Sequence, residues 1–339
     1  MMKQRVVQPL ICGVLVLTAL AWAAPSPAAQ TASPPAFAIE TADRAVVLIT
    51  ATYRAGGRAA RGSGSGIIID PSGVILTAGH VVDRASSLEV QLHSGEVLPA
   101  DVVGTDRVYD IALLRVDAVR PLPAVTLAAS SLLQRGDTVV ALGRAPRRQA
   151  GPTAGTFLEI DLEARAGVPN LLSTAVVYPG DSGGALVNER GEVIGVIVAI
   201  TRNGLLSLSV ATDAIRAVLT DLRAGDVRHP WLGITGRTLT EDLAAELGLA
   251  LHNGVLILEV LPHSPASLAG LRGGRANSTA DVPTGGDVIT AIDGRPVTTF
   301  GALAAYILSK HIGDPVTLEI NRDGHAATTT VILGERPTL

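Results

Sequence analysis

Short runs of β-branched and other apolar residues follow one another from about residue 45 to residue 210, and glycine, proline, aspartate or serine interrupts them. Many short strands at close spacing are typical of an all-β barrel or sandwich. The pattern predicts strands at Val46–Thr50, Gly66–Ile69, Val74–Thr77, Leu88–Leu92, Ile111–Val116, Thr138–Leu142, Thr156–Ile160, Leu171–Thr174, Ala185–Val187, Val193–Ile200 and Leu206–Val210.

The pattern changes after these strands. Apolar residues recur at helical spacing over Asp213–Leu222, with Thr212 as the predicted cap. The polar stretch 223–229 is predicted to be an interdomain linker. A second, smaller α+β domain over 230–337 follows, with strands at Val255–Val260, Val288–Ile292, Val316–Asn321 and Thr328–Ile332 and one helix at Phe300–Lys310.

The N-terminus has the features of an export signal. Lys3 and Arg5 precede the apolar stretch Leu10–Leu20, and small residues that suit cleavage follow it. We expect residues 1–29 to be a signal peptide or, because no charge interrupts the apolar stretch, an uncleaved anchor. Residues 30–40 are expected to form a flexible lead-in to a domain over 41–222. The only cysteine, Cys12, lies in the signal segment, so disulfides and thiol catalysis are not expected.

Composition narrows the possible functions. The chain has 339 residues, 47% of them hydrophobic and 17% charged, and a net charge of −4. This length and composition support two or three folded domains. The sequence has no run of lysine and arginine of the kind that binds nucleic acid. The basic cluster Arg144–Arg148 is expected to be a solvated loop. Phosphate-cradling and paired-histidine zinc motifs do not occur, so no metal and no organic cofactor is predicted.

Three segments of the all-β region carry candidate chemistry. A Thr-Ala-Gly-His sequence ends at His80, an Asp-Ile-Ala-Leu-Leu sequence begins at Asp110, and Gly-Asp-Ser-Gly-Gly surrounds Ser182. A serine hydroxyl is a weak nucleophile that needs a base within hydrogen-bonding reach, and the base needs an orienting group. The order His, Asp, Ser is that of the chymotrypsin-type triad. Each residue alone is equally consistent with a turn or packing role, but their joint occurrence predicts a serine endopeptidase.

Glycine on both sides of Ser182 serves the same chemistry. Glycine permits the unusual backbone angles of a tight turn. It also leaves the backbone N–H groups of Gly180 and Ser182 free to bind a developing oxyanion, which is worth on the order of 3 kcal/mol per donor. These two amides are the predicted oxyanion hole.

The motifs resemble those of the HtrA/Deg family of serine proteases. The resemblance rests on Thr77–Val82, Asp110–Leu114 and Gly180–Gly184 and, for a PDZ domain, on Asp287–Ile289 and Asp293–Gly294. It implies a mainly β fold in which a chymotrypsin-like pair of six-stranded barrels precedes the PDZ domain. It also implies ATP-independent cleavage of misfolded envelope proteins in the bacterial periplasm. Family trimers use N-terminal aromatics, for which only Phe37 and Tyr53 are available here, so a homotrimer is a possibility that the resemblance leaves open.

The chain departs from the family at two places. Asp181 stands where the family usually has asparagine, and its hypothetical partners are Arg144, Arg147 or Arg148, with a solvated aspartate as the alternative. The predicted specificity pocket consists of Val176, Leu205, Leu206 and Ser207. Because it lacks an acidic group, we expect cleavage after small or medium apolar residues rather than after arginine or lysine.

The resemblance also assigns a peptide-binding role to the second domain. PDZ domains add an extended peptide as a strand, and backbone N–H groups hold its C-terminal carboxylate. Trp231, Leu232, Gly233 and Ile234 resemble the carboxylate-binding loop, and the expected groove-lining residues are Ala304, Ala305 and Leu308. The polar stretch 272–286 is expected to be a mobile loop insertion.

Two other functions compete with an endopeptidase. A non-proteolytic peptide-binding chaperone or adaptor could share the fold, although the complete triad argues against it. An esterase could use the same nucleophile, but the Gly-x-Ser-x-Gly elbow of α/β-hydrolases is absent.

Overall fold

Two closed antiparallel barrels of six strands each form the first part of the molecule. A computed structural model describes residues 36–55, 58–144, 151–201, 204–275 and 283–337. The strands of the first barrel are β1 Val46–Ala55, β2 Arg58–Asp70, β3 Val74–Ala78, β4 Ser87–Gln91, β5 Val97–Asp106 and β6 Ile111–Val116. They pair in the order β1-β2-β3-β6-β5-β4 and close on themselves.

The second barrel has the same architecture. Its strands are β7 Thr138–Leu142, β8 Thr153–Asp161, β9 Asn170–Ser173, β10 Ala185–Val187, β11 Val193–Ile200 and β12 Ser207–Ala211, and a short 3-10 helix at Ser130–Leu132 precedes them. They pair in the order β10-β11-β12-β9-β8-β7. The prediction of a mainly β fold with two six-stranded barrels is confirmed.

The barrels are held together by a common apolar core. Every residue of β3 is buried, because one face packs inside the first barrel and the other against the second. Val140, Leu142 and Val196 from the second barrel belong to the same core cluster. The polar residues carried at the ends of β3 and β10 therefore meet at the junction of the barrels.

The N-terminal helix α1, Ala36–Arg44, corrects one sequence-based expectation. Residues 30–40 were expected to be a flexible lead-in, but their last part is helical, and Ile39 and Ala42 are buried in the barrel core. Arg144 binds Asp43 of this helix at 2.8 Å rather than lying in a solvated loop. Residues 1–35, with the predicted signal, and 145–150, with Arg147 and Arg148, lie outside the described residues, as does the side chain of Phe37.

Helices α2, Gly79–Val82, and α3, Thr212–Ala224, complete the first part of the fold. Thr212 is the first residue of α3 and not its cap: its hydroxyl donates to the carbonyl of Ala128 at 2.6 Å. The helix extends two residues into the predicted linker and ends at Gly225, whose φ of 75° is left-handed. Among the described residues, no helix is long and apolar enough to span a membrane.

The second domain is a small sheet with helices packed on it. Its strands are β13 Pro230–Trp231, β14 Ile234–Thr238, β15 Val255–Val260, β16 Val288–Ile292, β17 Arg295–Pro296, β18 Pro315–Arg322, β19 His325–Ile332 and β20 Gly334–Glu335. The main sheet pairs in the order β14-β15-β16-β18-β19. Its helices are α4 Glu241–Glu246, α5 Pro265–Leu268 and α6 Phe300–Leu308. Arg275 and Thr284 pair across the predicted loop insertion, of which residues 276–282 lie outside the described residues.

Candidate active site

His80 and Asp110 meet because two paired strands end side by side. Strand β3 ends at Ala78, which pairs with Ile111 at the start of β6. His80 follows β3 in helix α2 and Asp110 directly precedes β6, so the two side chains share one end of the barrel. His80 Nδ1 lies 2.9 Å from Asp110 Oδ2, and the His80 amide donates to Asp110 Oδ1 at 2.8 Å. The carboxylate thus fixes both the ring and the backbone of the histidine.

A buried turn positions Asp110. Its φ of 56° is left-handed, which is uncommon outside glycine. The Asp106 carboxylate accepts the amides of Val108 at 2.8 Å and Tyr109 at 3.1 Å, and the buried His229 ring lies 2.9 Å from both of its oxygens. Burial, followed by the charge of Asp106, raises the pKa of Tyr109 to about 12. The turn that holds Asp110 is therefore packed and hydrogen-bonded.

Ser182 follows a tight turn whose geometry is set by its residue types. The Asp181 amide donates to the Tyr178 carbonyl at 2.8 Å, which closes a four-residue turn over Pro179 and Gly180. Gly180 has a φ of 104°, the positive value that the third position of a type II turn requires. Asp181 is fully buried, so it is not a solvated aspartate, and its carboxylate accepts the Tyr178 amide at 2.9 Å.

The amides of Gly180 and Ser182 are left without a hydrogen-bond acceptor in the described part of the chain. The neighbouring amides of Asp181, Gly183 and Gly184 are all bonded to carbonyls. Native proteins bond most of their backbone N–H groups. Two free donors flanking one serine are the arrangement that an oxyanion needs.

Ser65, which sequence analysis did not single out, joins the two barrels at this turn. Its hydroxyl donates to the Gly180 carbonyl at 2.8 Å and accepts the Arg144 amide at 2.8 Å. Its own amide donates to the Ser182 carbonyl at 2.7 Å, and its carbonyl accepts the Thr77 hydroxyl at 2.7 Å. Ser65 thus ties the serine-bearing turn to strand β3, one residue before the strand ends.

Close packing at Gly183 brings the serine to the end of β3. A Cβ atom on Gly183 would lie 2.1 Å from the Ser65 carbonyl oxygen and 3.0 Å from the Ala78 amide, so only glycine fits. Among the bonds of the described residues, none joins His80 Nε2 to Ser182 Oγ. Such bonds are often long or poorly aligned until a substrate is bound.

The predicted specificity residues lie at one end of the second barrel. Ser207 is buried, pairs with Ser173 in the sheet and shares a hydroxyl–hydroxyl bond of 2.7 Å with it. Val176 is 53% exposed and Leu205 is 72% exposed, while Leu206 is half-buried. Both exposed side chains present apolar surface at this end of the barrel.

The predicted PDZ loop lines a groove of about 270 Å³. Trp231, Leu232, Gly233 and Ile234 form one end of it, and Ala304 and Leu308 of helix α6 are among the lining residues. Ala305 is not among the lining residues; its backbone amide lies close to Gly167. The amides of Leu232 and Gly233 make no hydrogen bond to described residues, whereas the carbonyls of both are bonded.

Comparison with known proteins gives two domain matches. Residues 64–196 match the trypsin-like peptidase domain and residues 230–333 match the PDZ domain. HhoA of Synechocystis is 33% identical over 287 residues, which are 80% of this chain and 70% of HhoA. The periplasmic serine endoprotease DegP of Salmonella typhimurium is 33% identical over 282 residues, again 80% of this chain, but the match spans only 56% of DegP.

Solved structures agree with these matches. The HtrA-type protease AlgW with a decapeptide superposes with a TM-score of 0.71 at 26% identity, covering 89% of this chain and 98% of AlgW. The serine endoprotease from Yersinia pestis gives a TM-score of 0.65 at 25% identity, over 88% of this chain and 97% of that one. The chain therefore belongs to the HtrA/Deg family of serine endopeptidases.

Proposed function

We propose that this protein is an ATP-independent endopeptidase that cleaves unfolded or damaged proteins of the cell envelope. The observation that carries the proposal is the pairing of a bonded His80–Asp110 couple with two unbonded amides beside Ser182. The similarity to the periplasmic serine endoprotease DegP supports export of this protein to the periplasm. The signal segment on which export depends lies outside the described residues.

Each residue has a definite task in the proposed reaction. His80 Nε2 takes the proton from Ser182 Oγ as the oxygen attacks the scissile carbonyl carbon. Asp110 holds the Nδ1–H tautomer and stabilises the imidazolium that forms. The amides of Gly180 and Ser182 receive the negative oxygen. His80 then protonates the departing amine. In the second half of the reaction it takes a proton from the water that attacks the ester carbon, and it returns this proton to Ser182 Oγ as the acyl bond breaks.

Substrate choice is assigned to the exposed apolar residues at the end of the second barrel. Val176, Leu205 and Leu206 offer apolar contacts, and the neighbouring Ser207 is buried and bonded to Ser173. No acidic group belongs to this set, so a basic substrate side chain would be desolvated without a counter-charge. We therefore expect the enzyme to cleave after valine, alanine or leucine.

The PDZ domain is assigned the capture of peptide C-termini. A carboxylate at the Leu232 and Gly233 amides would find two free donors, and strand β14 would pair with the peptide backbone. The AlgW structures with a decapeptide and with a tripeptide support a peptide partner. We also propose that the protein assembles as a homotrimer. Light scattering of the purified protein measures its mass and tests this.

Degradation of reduced casein in the absence of nucleotide tests the proposal. Wild type should produce fragments, and Ser182→Ala should produce none while retaining the thermal transition of the wild type. Equal inertness of the two proteins, with binding of casein retained, would favour the chaperone or adaptor alternative. A requirement for ATP would contradict the proposal in its stated form.

A further inference from the structure

The carboxylate of Asp110 has a third partner from a distant part of the chain. Its Oδ2 atom lies 2.9 Å from His80 Nδ1 and 2.8 Å from an Nη atom of Arg165. The Asp110 side chain is 10% exposed and that of Arg165 is 35% exposed. Charge-assisted bonds of this length are the strong class of hydrogen bond. One carboxylate oxygen is thus shared between an imidazole and a guanidinium.

Arg165 is held by a loop with its own internal bonds. This loop, residues 162–169, connects strands β8 and β9 and is called here the β8–β9 loop. The Asp161 carboxylate accepts the Glu163 amide at 2.7 Å, and the Val168 amide donates to the Arg165 carbonyl at 2.7 Å. The backbone on both sides of Arg165 is therefore fixed.

The β8–β9 loop is also docked on helix α6 of the second domain. Glu163 accepts the Gly301 amide at 2.6 Å, in the first turn of that helix, and the Thr238 hydroxyl at 3.2 Å. A Cβ atom on Gly167 would lie 2.4 Å from the Ala305 amide, so the two backbones touch. These contacts supply the rigid support that the guanidinium needs in order to hold another side chain in place.

We propose that Arg165 is a positioning residue for the proteolytic reaction, acting through Asp110. The guanidinium holds the carboxylate in the one orientation that reaches both the ring and the amide of His80. Its positive charge also offsets part of the negative charge of Asp110, so the carboxylate stabilises the His80 imidazolium less strongly. The inference rests on the proposed endopeptidase activity, but part of its test does not.

The other charged groups near Asp110 have partners of their own, so Arg165 is the cation bonded to it among the described residues. These partners are Arg84 and Arg107 for Asp83, His229 for Asp106, and the α6 amide for Glu163. A change at Arg165 therefore acts on the His80–Asp110 pair without releasing a second charge beside it.

Removing the guanidinium has an effect of known sign on protonation. A cation near the imidazole disfavours the imidazolium, so Arg165→Gln favours the protonated ring. The acid limb of the kcat/KM profile should move to higher pH by about 0.5–1 unit, the size expected when one unit charge is removed beside a partly exposed imidazole. Loss of the orienting bond should also lower kcat at high pH by roughly tenfold, with KM unchanged.

The test compares three variants in a fluorogenic peptide assay. Arg165→Gln should show the shifted acid limb and the lower kcat, and Arg165→Lys should restore most of both. Arg135→Gln, which removes an exposed cation that contacts Glu159 at 3.7 Å, should behave as wild type. The proposal would be overturned if Arg165→Gln left both the pH profile and kcat unchanged. It would also be overturned if Arg165→Gln and Arg165→Lys lowered kcat equally without moving the acid limb.

A second measurement does not depend on turnover. In the Ser182→Ala background, the downfield proton resonance of the His80 Nδ1–H reports the bond to Asp110. Its pH midpoint should rise by the same 0.5–1 unit when Arg165→Gln is added. An unmoved midpoint would refute the role of Arg165 even if the wild type proved inactive on every substrate, whereas an inactive wild type with a moved midpoint would refute only the proposed function.

Discussion

The two halves of the candidate site are built in opposite ways. On the first barrel, both carboxylate oxygens of Asp110 are bonded to His80, one of them also to Arg165, and the turn behind the pair is packed and hydrogen-bonded. On the second barrel, Asp181 is buried and bonded, yet the amides of Gly180 and Ser182 have no partner in the described chain. The Asp110 carboxylate is satisfied within the chain, whereas the two amides on the second barrel are open to another molecule.

The bonded groups hold the site in shape, whereas the unbonded amides are the groups available to bind another molecule. Bonded groups cost free energy when they are removed because their partners are left unsatisfied. Unbonded donors held in place by such groups are available to a transition state at no cost of reorganisation. We therefore expect substitutions in the first half to change the chemistry most, and substitutions behind the second half to loosen the oxyanion donors.

Asp110→Asn should have the largest effect. The asparagine can still accept the His80 amide, but it cannot hold the Nδ1–H tautomer with a negative charge. We expect kcat on a peptide substrate to fall by about 10,000-fold with little change in KM. Asp117→Asn, at an exposed aspartate, is the matched control. A loss below tenfold would mean that the paired half does not orient the base.

Ser65→Ala should have a smaller effect, and on the other half of the site. The substitution leaves the Gly180 carbonyl and the Arg144 amide without their buried partner, at a cost of about 1–3 kcal/mol in unfolding free energy. Because the Gly180 amide then loses its fixed direction, kcat should fall roughly tenfold or more. Ser63→Ala, at an exposed serine of the same strand, serves as the control in urea unfolding and in the peptide assay. Wild-type values for Ser65→Ala would show that the turn is rigid without it.

Tyr109→Phe should change stability only, and only at high pH. Burial raises the pKa of Tyr109 from 10.0 to about 12, so the unfolded chain loses this proton first as the pH rises. The stability that depends on the neutral phenol is complete below about pH 10 and is lost as the pH passes 12. Urea unfolding at about pH 9 and about pH 11.5 should show a fall about 2 kcal/mol larger in the wild type than in Tyr109→Phe. Equal falls would mean that the phenol ionises freely in the folded protein.

Local patterns account for most of the strands and for the segments that meet at the site. β3, β6, β10 and β11 were predicted within a residue or two, because each is a short apolar run bounded by glycine or polar residues. Strand β5 was missed, because Pro99, Asp101 and Gly104 interrupt its apolar pattern. Helix α1 was missed because its alanine-rich segment resembles the flexible stretch before it.

The residues that support the site carry no such local signal. Ser65 bonds to Gly180, 115 positions later, and Arg165 bonds to Asp110, 55 positions earlier. A serine between glycines and an arginine in a loop look like surface residues until the barrels have closed. Strand register sets these partnerships, and one sequence does not reveal register between distant segments.

The account depends on Ser182 being activated by His80 from across the barrel junction. Covalent labelling with a fluorophosphonate, mapped by mass spectrometry, measures that activation without a protein substrate. We predict a single labelled residue, Ser182, and labelling at least roughly a hundredfold slower in a folded His80→Ala variant. Labelling that is absent from Ser182, or equally fast in His80→Ala, would contradict the account.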